Sequence, residues 1–331
     1  MQMIFRTAVQ KEKGLPVISH QDKLLMLGSC FTNNIGAYLQ RSKFHCEVNP
    51  FGTLYNPISV ANGLTLLFGN KKIQEKDLFY HKERWRSFLF HGDYTGSTQQ
   101  EALTLMNNQV IRGREALKEV SYLLITFGSA WVFEYVENQE VVANCHKIPS
   151  KMFKRRRLSV EEIVVFYEKL LASVLCNNPA CKVIFTVSPI RHIRDGLHEN
   201  QLSKSILLLA IEQIVSKNPS QLFYFPAYEL LLDDLRDYRF YSADMIHPSP
   251  TAIQYIWSFF QDQFFNTETT DLIKACEAIQ KKIEHRPSNP KSAEYRGFLE
   301  QILLNISAVQ RKYPNLDFEN ELKLCHTRLN L

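Results

Sequence analysis

Two separated stretches hold the residue types that nucleophilic chemistry needs. In KLLMLGSCFTNNIG, Lys23 to Gly36, the apolar run Leu24–Leu27 meets Gly28, and Ser29 and Cys30 follow at once. Four apolar residues ending in glycine predict a buried strand, and the polar cluster Thr32, Asn33 and Asn34 predicts a helix start. A hydroxyl or thiol at such a turn sits at the carboxyl edge of an α/β sheet. It also lies beside a helix N-terminus, which favours developing negative charge. Ser29 and Cys30 both qualify as nucleophiles, the thiol being intrinsically the stronger. The second stretch is SADMIHP, Ser242 to Pro248. Asp244 and His247, three apart on one tight loop, can set a carboxylate beside an imidazole, fixing its tautomer and stabilising its protonated form. A serine hydroxyl is too weak an acid to attack a carbonyl unaided, so a neutral histidine must take its proton. The order Ser29, Asp244, His247 along the chain is compatible with such a triad.

Other polar residues fall near the same sheet edge. Arg191 and His192 follow an apolar run and could hold a substrate carboxylate or phosphate; an exposed loop whose Arg194 and Asp195 pair with neighbours is an equal alternative. His91, in FLFHGD, could roof the site. The basic run Lys154–Arg157 reads as a solvated turn before a helix. It lacks aromatic interleaving, which argues against nucleic acid as a partner.

The elements that must position these residues alternate. Strands are expected at 24–27, 44–48, 122–127, 182–187 and 222–225. Helices are expected from Ser29 to about Leu39, from Pro57 to Phe68, over 98–118, from Ser159 (with Glu162 completing a capping box), through Leu207 and Val215, and from Pro250. Strands alternating with helices imply a mostly parallel sheet flanked by helices. A small β-hairpin is expected as an insert at about 71–98, and a second hairpin turns near Asn138-Gln139. After residue 265 only helical periodicity remains, so residues 1–265 are read as the main domain and 266–331 as a helical appendage. Residues 1–21 read as a polar arm or edge strand.

Bulk properties exclude rather than select. At 331 residues, 45% of them hydrophobic, the chain can bury one large α/β core. A net charge of +5 is too mild to demand an anionic partner. Seven scattered cysteines, never spaced CxxC, point to reduced thiols rather than a disulfide framework or a zinc site. The N-terminal segment lacks a signal-peptide core, and no apolar run is long enough to span a membrane. A soluble, cytoplasmic protein is the expectation.

Five segments in order, GSCF, NPFG-x-LYNP, ITFGSAW, SPIRHIRDG and DMIHPS, resemble the GSCFA-domain proteins, a family similar to the SGNH/GDSL-type hydrolases. The resemblance spans roughly residues 20–265. It implies a three-layer α/β/α, flavodoxin-like fold and a serine hydrolase acting on ester groups, possibly those of an acylated carbohydrate or small molecule, with neither metal nor organic cofactor. An acyltransferase using the same site, or a non-catalytic binder on that scaffold, is the alternative. Ser29 would be the nucleophile, His247 the base and Asp244 its orienting acid. Gly52 is implied as an oxyanion donor, with Asn49 competing. The resemblance also expects an Asn where this chain has Ala130, a loss that Ser129, Asn49 or Asn56 could make good. Oligomeric state is left open.

Overall fold

The computed structural model describes residues 6–330. Five strands, β1 (Lys23–Gly28), β2 (His45–Val48), β5 (Tyr122–Phe127), β9 (Lys182–Val187) and β10 (Leu222–Phe225), form one sheet in the order β10-β9-β5-β1-β2. Every pairing in it is parallel. Every carboxyl strand end therefore opens on one edge, and the order reverses beside β1, where such sheets carry their sites. The fold is the expected three-layer, flavodoxin-like arrangement.

The two faces of each strand build two cores. Leu25 and Leu27 of β1, Leu123 and Ile125 of β5, and Val183 and Phe185 of β9 meet helices α2 (Pro57–Phe68), α3 (Gln99–Lys118), α4 (Val160–Asn177) and α5 (Leu197–Ser216). Leu24, Met26, Leu124, Ile184 and Phe225 face the other way, against α1 (Cys30–Arg41) and α7 (Pro250–Phe264). Burial on both faces explains why these strands read as continuous apolar runs. Each fully buried Leu contributes roughly 1.5–3 kcal/mol by leaving water.

The helices begin where the sequence signals. Ser29 caps α1, Asn56 caps α2 ahead of Pro57, and Ser159 with Glu162 closes a capping box on α4. The expected insert contains a hairpin, β3 (Phe79–His81) with β4 (Arg84–Arg86), turning through Lys82 and Glu83, both at positive φ. The second hairpin pairs β6 (Trp131–Tyr135) with β7 (Val141–Val142). The basic run departs from expectation. Residues Phe153–Arg157 form β8, antiparallel to β6, not a solvated turn. Arg155 and Arg157 stack over Trp131 at 4.1 and 5.6 Å, while Arg156 turns away to Glu134 and Glu162 at 2.6 Å. Arg155 also pairs with Asp195, and Arg157 with Glu199. Arginine supplies little strand propensity, so only these partners, distant in sequence, make the run a strand.

Beyond residue 266, α8 (Thr267–Ile283), α9 (Ala293–Lys312) and α10 (Glu319–Leu329) share a third apolar cluster built on Leu272, Ile279, Leu299, Ile302 and Phe318. Ile273 of α8 reaches back into the second core, and Glu321 of α10 pairs with Lys43 at 2.7 Å. The arm expected over residues 1–21 lies partly outside the described residues; its described part forms no strand, and Ile18 is fully buried, its amide donating to Phe264 O at 2.7 Å. No described helix is long and apolar enough to cross a membrane. All seven cysteines are unpaired.

The end of β1 leaves room only for glycine. Gly28 has φ +147°, and a Cβ there would sit 2.2 Å from Thr126 O of β5. Gly28→Ala is expected to lose about 3 kcal/mol or more of stability, read from the denaturant midpoint. Gly297→Ala, in mid-helix with nothing within 4 Å, is expected to gain about 0.5–1 kcal/mol in the same assay.

Candidate active site

Ser29 leaves β1 as the N-cap of α1, with φ −67° and ψ 174°, and is 1% exposed. Its Oγ accepts from the Phe31 amide at 3.3 Å. Three strand ends and one loop meet around it. Leu54 N donates to Gly28 O at 2.9 Å, which draws the loop after β2 alongside the turn. The amides of Gly128 and Ser129, at the end of β5, both donate to Tyr55 O at 2.8 Å. An ideal Cβ on Gly128 would lie 3.3 Å from Ser29 Cβ, so this peptide backs directly on the serine. Cys30, the rival nucleophile, is half-buried, and burial pushes its thiol above the ordinary value. That disfavours the thiolate.

Asp244 and His247 occupy the loop before α7. Asp244 Oδ2 meets His247 Nδ1 at 2.6 Å, while Oδ1 accepts from the amides of Ile246 (2.9 Å) and His247 (3.0 Å). Those two amides and the imidazole hold the Asp244 carboxyl down at about 2, so it is ionised at any ordinary pH. As pH falls through that value, the loop loses the acceptor that organises it. Nδ1 is occupied by the carboxylate, which leaves Nε2 as the ring nitrogen that can take a proton. Both side chains are about half exposed. No hydrogen bond joins Ser29 Oγ to His247. Near both is His192, whose ring stands edge-on to Tyr55 at 5.8 Å and whose titration is depressed by burial first and by His247 least.

The remaining candidates separate by what they already bond. The Gly52 amide is engaged by Asn49 O at 2.7 Å in a turn with φ +73°. Asn49 is a brace: its Oδ1 accepts from Gly28 N at 2.8 Å and its Nδ2 donates to Asn33 Oδ1 at 2.7 Å. The Ser129 hydroxyl faces α5, accepting from Trp131 N at 3.1 Å and lying 3.3 Å from Ser203 Oγ. Ala130 is fully buried in the first core, its amide bound to Ser203 Oγ at 2.8 Å. An Asn there would point into the core and not at the serine. Asn56 differs from all of these. Its Oδ1 caps α2 through Ser59 N at 2.8 Å, and its Nδ2 has no partner among the described residues.

His91 packs over Gly52 and bonds Asp93 through Nδ1 at 2.9 Å, on the β2 side of the site. Arg191 lies over the Tyr241 ring at 5.8 Å, with its buried Nε unpartnered. The His192 amide donates to Asn200 Oδ1 at 2.9 Å, its Nε2 is buried without a partner, and burial, with Lys204 nearby, pushes the ring down to about 4. It is neutral at ordinary pH.

One residue escaped the sequence reading. Lys204 of α5 is 1% exposed, and its ammonium donates to Gly128 O and Ser188 O, both at 2.7 Å. The signal was present: Asn200, Ser203 and Lys204 fall on the same stripe of α5 as Leu207, Ile211 and Ile214, where a helix presents apolar residues to a core.

Comparison with known proteins adds the following. No curated protein matches the chain. Among solved structures it is similar to a family 3 carbohydrate esterase of Clostridium thermocellum, at 8% identity and TM-score 0.35, covering 77% of this chain and 98% of that one. It is also similar to an acetyl xylan esterase from the rumen bacterium Butyrivibrio proteoclasticus, at 11% identity and TM-score 0.37, covering 75% and 64%. Residues 23–260 match the GSCFA family, and residues 276–331 match the C-terminal domain of GSCFA domain proteins. The chain belongs to the GSCFA family.

Proposed function

We propose that this protein is a serine hydrolase that cleaves O-acyl esters of a small molecule or carbohydrate. The observation that carries the reading is the Asp244–His247 pair: a permanently ionised carboxylate holds one imidazole nitrogen at 2.6 Å and leaves the other free, on the sheet edge that also carries Ser29. Ser29 Oγ attacks the acyl carbon while its proton passes to His247 Nε2. The protonated imidazole, stabilised by Asp244, returns that proton to the leaving alkoxide. Water then repeats the sequence on the acyl-enzyme. Reaction requires Ser29 Oγ to leave the Phe31 amide and the half-exposed His247 loop to close on it, a tightening common when substrate binds.

Asn56 is our assignment for the oxyanion donor that Ala130 lacks. Its Nδ2 is free, and its residue follows Tyr55, which touches Gly128 beside the serine. Arg191 and the neutral His192 would wall the acyl or alcohol side of the cleft.

Ser29→Ala is expected to abolish covalent labelling by a fluorophosphonate and to lower p-nitrophenyl acetate turnover by at least about 10³-fold; full activity in that variant would sink the mechanism. Asn56→Asp keeps an oxygen to cap α2 but removes the donor. Its kcat is expected to fall about 10²–10³-fold with thermal stability unchanged, whereas Asn56→Ala should lose rate and also about 1 kcal/mol of stability. Asp244→Asn is expected to cut kcat by about 10²–10⁴-fold, because the amide can hold the imidazole in the wrong tautomer.

A further inference from the structure

Lys204 is an amine sealed inside an α/β core, and no carboxylate among the described residues pairs with it. Burying an unpaired ammonium is unfavourable, so its position calls for a reason beyond packing. Both of its bonds go to carbonyls at carboxyl strand ends, Gly128 after β5 and Ser188 after β9. The Gly128 carbonyl belongs to the same peptide unit as the Ser129 amide, and that amide donates to Tyr55 O at 2.8 Å. The Tyr55 carbonyl in turn shares its peptide with the Asn56 amide. One line of polarised groups therefore runs from the ammonium through two peptides to Asn56, passing behind Ser29. Hydrogen bonds in series strengthen one another, and a charge at one end polarises the whole line.

We propose that Lys204 is a positioning residue for the Ser29 site: its buried ammonium clamps the ends of β5 and β9, holds the Gly128–Ser129 peptide on Tyr55, and supplies positive potential behind Ser29 from the core side. The proposal rests on Ser29 being the nucleophile. It touches no substrate itself, since Gly128 and Tyr55 stand between.

The groups facing Lys204 leave its charge uncompensated. Cys30 approaches from α1, with its thiol pushed up by burial. His192 approaches from the loop after β9, neutral because burial and Lys204 itself hold it near 4. The ring of Tyr228, on the segment Ala227–Glu229, lies 5.8 Å from the ammonium, with its phenol also pushed up by burial. Burial lowers the lysine to about 7. The sign follows directly. The ammonium is present below that value and lost above it, while a neutral His247 is needed for attack. Reactivity of Ser29 should therefore fall as pH rises and Lys204 deprotonates.

The test measures the second-order rate constant for fluorophosphonate labelling of Ser29 in the full chain across pH 5–9. In that reaction the Oγ–P bond forms, fluoride leaves, and His247 takes the serine proton. Wild type is expected to show a falling limb at neutral pH. Lys204→Met, close in length and uncharged, is expected to label about 10²-fold more slowly at pH 6.5 and to lose the falling limb. Lys204→Gln, which restores a donor to one carbonyl without the charge, is expected to stay as slow. Thermal unfolding of both variants checks folding. If neither folds, the wild-type profile decides alone, and a plateau up to pH 9 overturns the proposal. Folded variants that label at the wild-type rate with the wild-type profile overturn it while leaving the ester-hydrolase reading intact. A wild-type protein that takes no label overturns both.

Discussion

The Tyr55 carbonyl is the acceptor on which the site depends. Two successive amides, from Gly128 and Ser129, end on it, and the loop that carries it is tied to the end of β1 through Leu54 N and Gly28 O. Those bonds join three consecutive strand ends into one platform. The platform exists only because two glycines let backbone meet backbone: Gly28 lies against Thr126, and Gly128 against Tyr55 and Ser29. A serine held as the N-cap of α1 on such a platform has little freedom beyond its own χ1. That rigidity is what a positioned nucleophile needs.

Behind the platform the chemistry is polar and buried, and in front of it half exposed. Ser203, Lys204 and Asn200 line the first turns of α5 and satisfy Ala130 N, Gly128 O, Ser188 O and His192 N. A buried polar network of this kind specifies one arrangement of loops where an apolar core would tolerate several. The Asp244–His247 loop, by contrast, is organised almost wholly by its own short bonds and is half exposed. Backbone support for the serine and local support for the histidine fit the proposed mechanism, in which the base comes from a loop.

The positions of the five core strands were legible because their periodicity is extreme: residues buried on both faces give runs such as Tyr122–Phe127 with no polar interruption but Thr126. Pro57, Pro250 and the Ser159–Glu162 capping box made helix starts legible, and in the structure Ser29, Asn56, Ser159 and Ser249 cap amides two or three residues away. Strand β8 was not legible. Its three arginines pair with Trp131, Glu134, Glu162, Asp195 and Glu199, and nothing within the run announces those partners.

The site divides along the same line. Residue type and spacing alone mark the glycine turn with its two candidate nucleophiles, Ser29 and Cys30, and couple Asp244 to His247, because three residues of a tight loop are enough to join a carboxylate to a ring; the family resemblance is what favours Ser29. Which groups could face the oxyanion was decided only by the tertiary structure. Gly52, Asn49 and Ser129 are as suitable in type as Asn56, but their hydrogen-bonding groups are engaged by Asn49 O, by Gly28 and Asn33, and by Trp131 and Ser203. Lys204 shows the same limit from the other side. Its place on an apolar stripe is visible in the sequence, but that its ammonium ends on Gly128 O, 76 residues away, follows from how α5 lies across the sheet. Local chemistry is written in neighbouring residues; the availability of a donor depends on what the rest of the fold has already bonded.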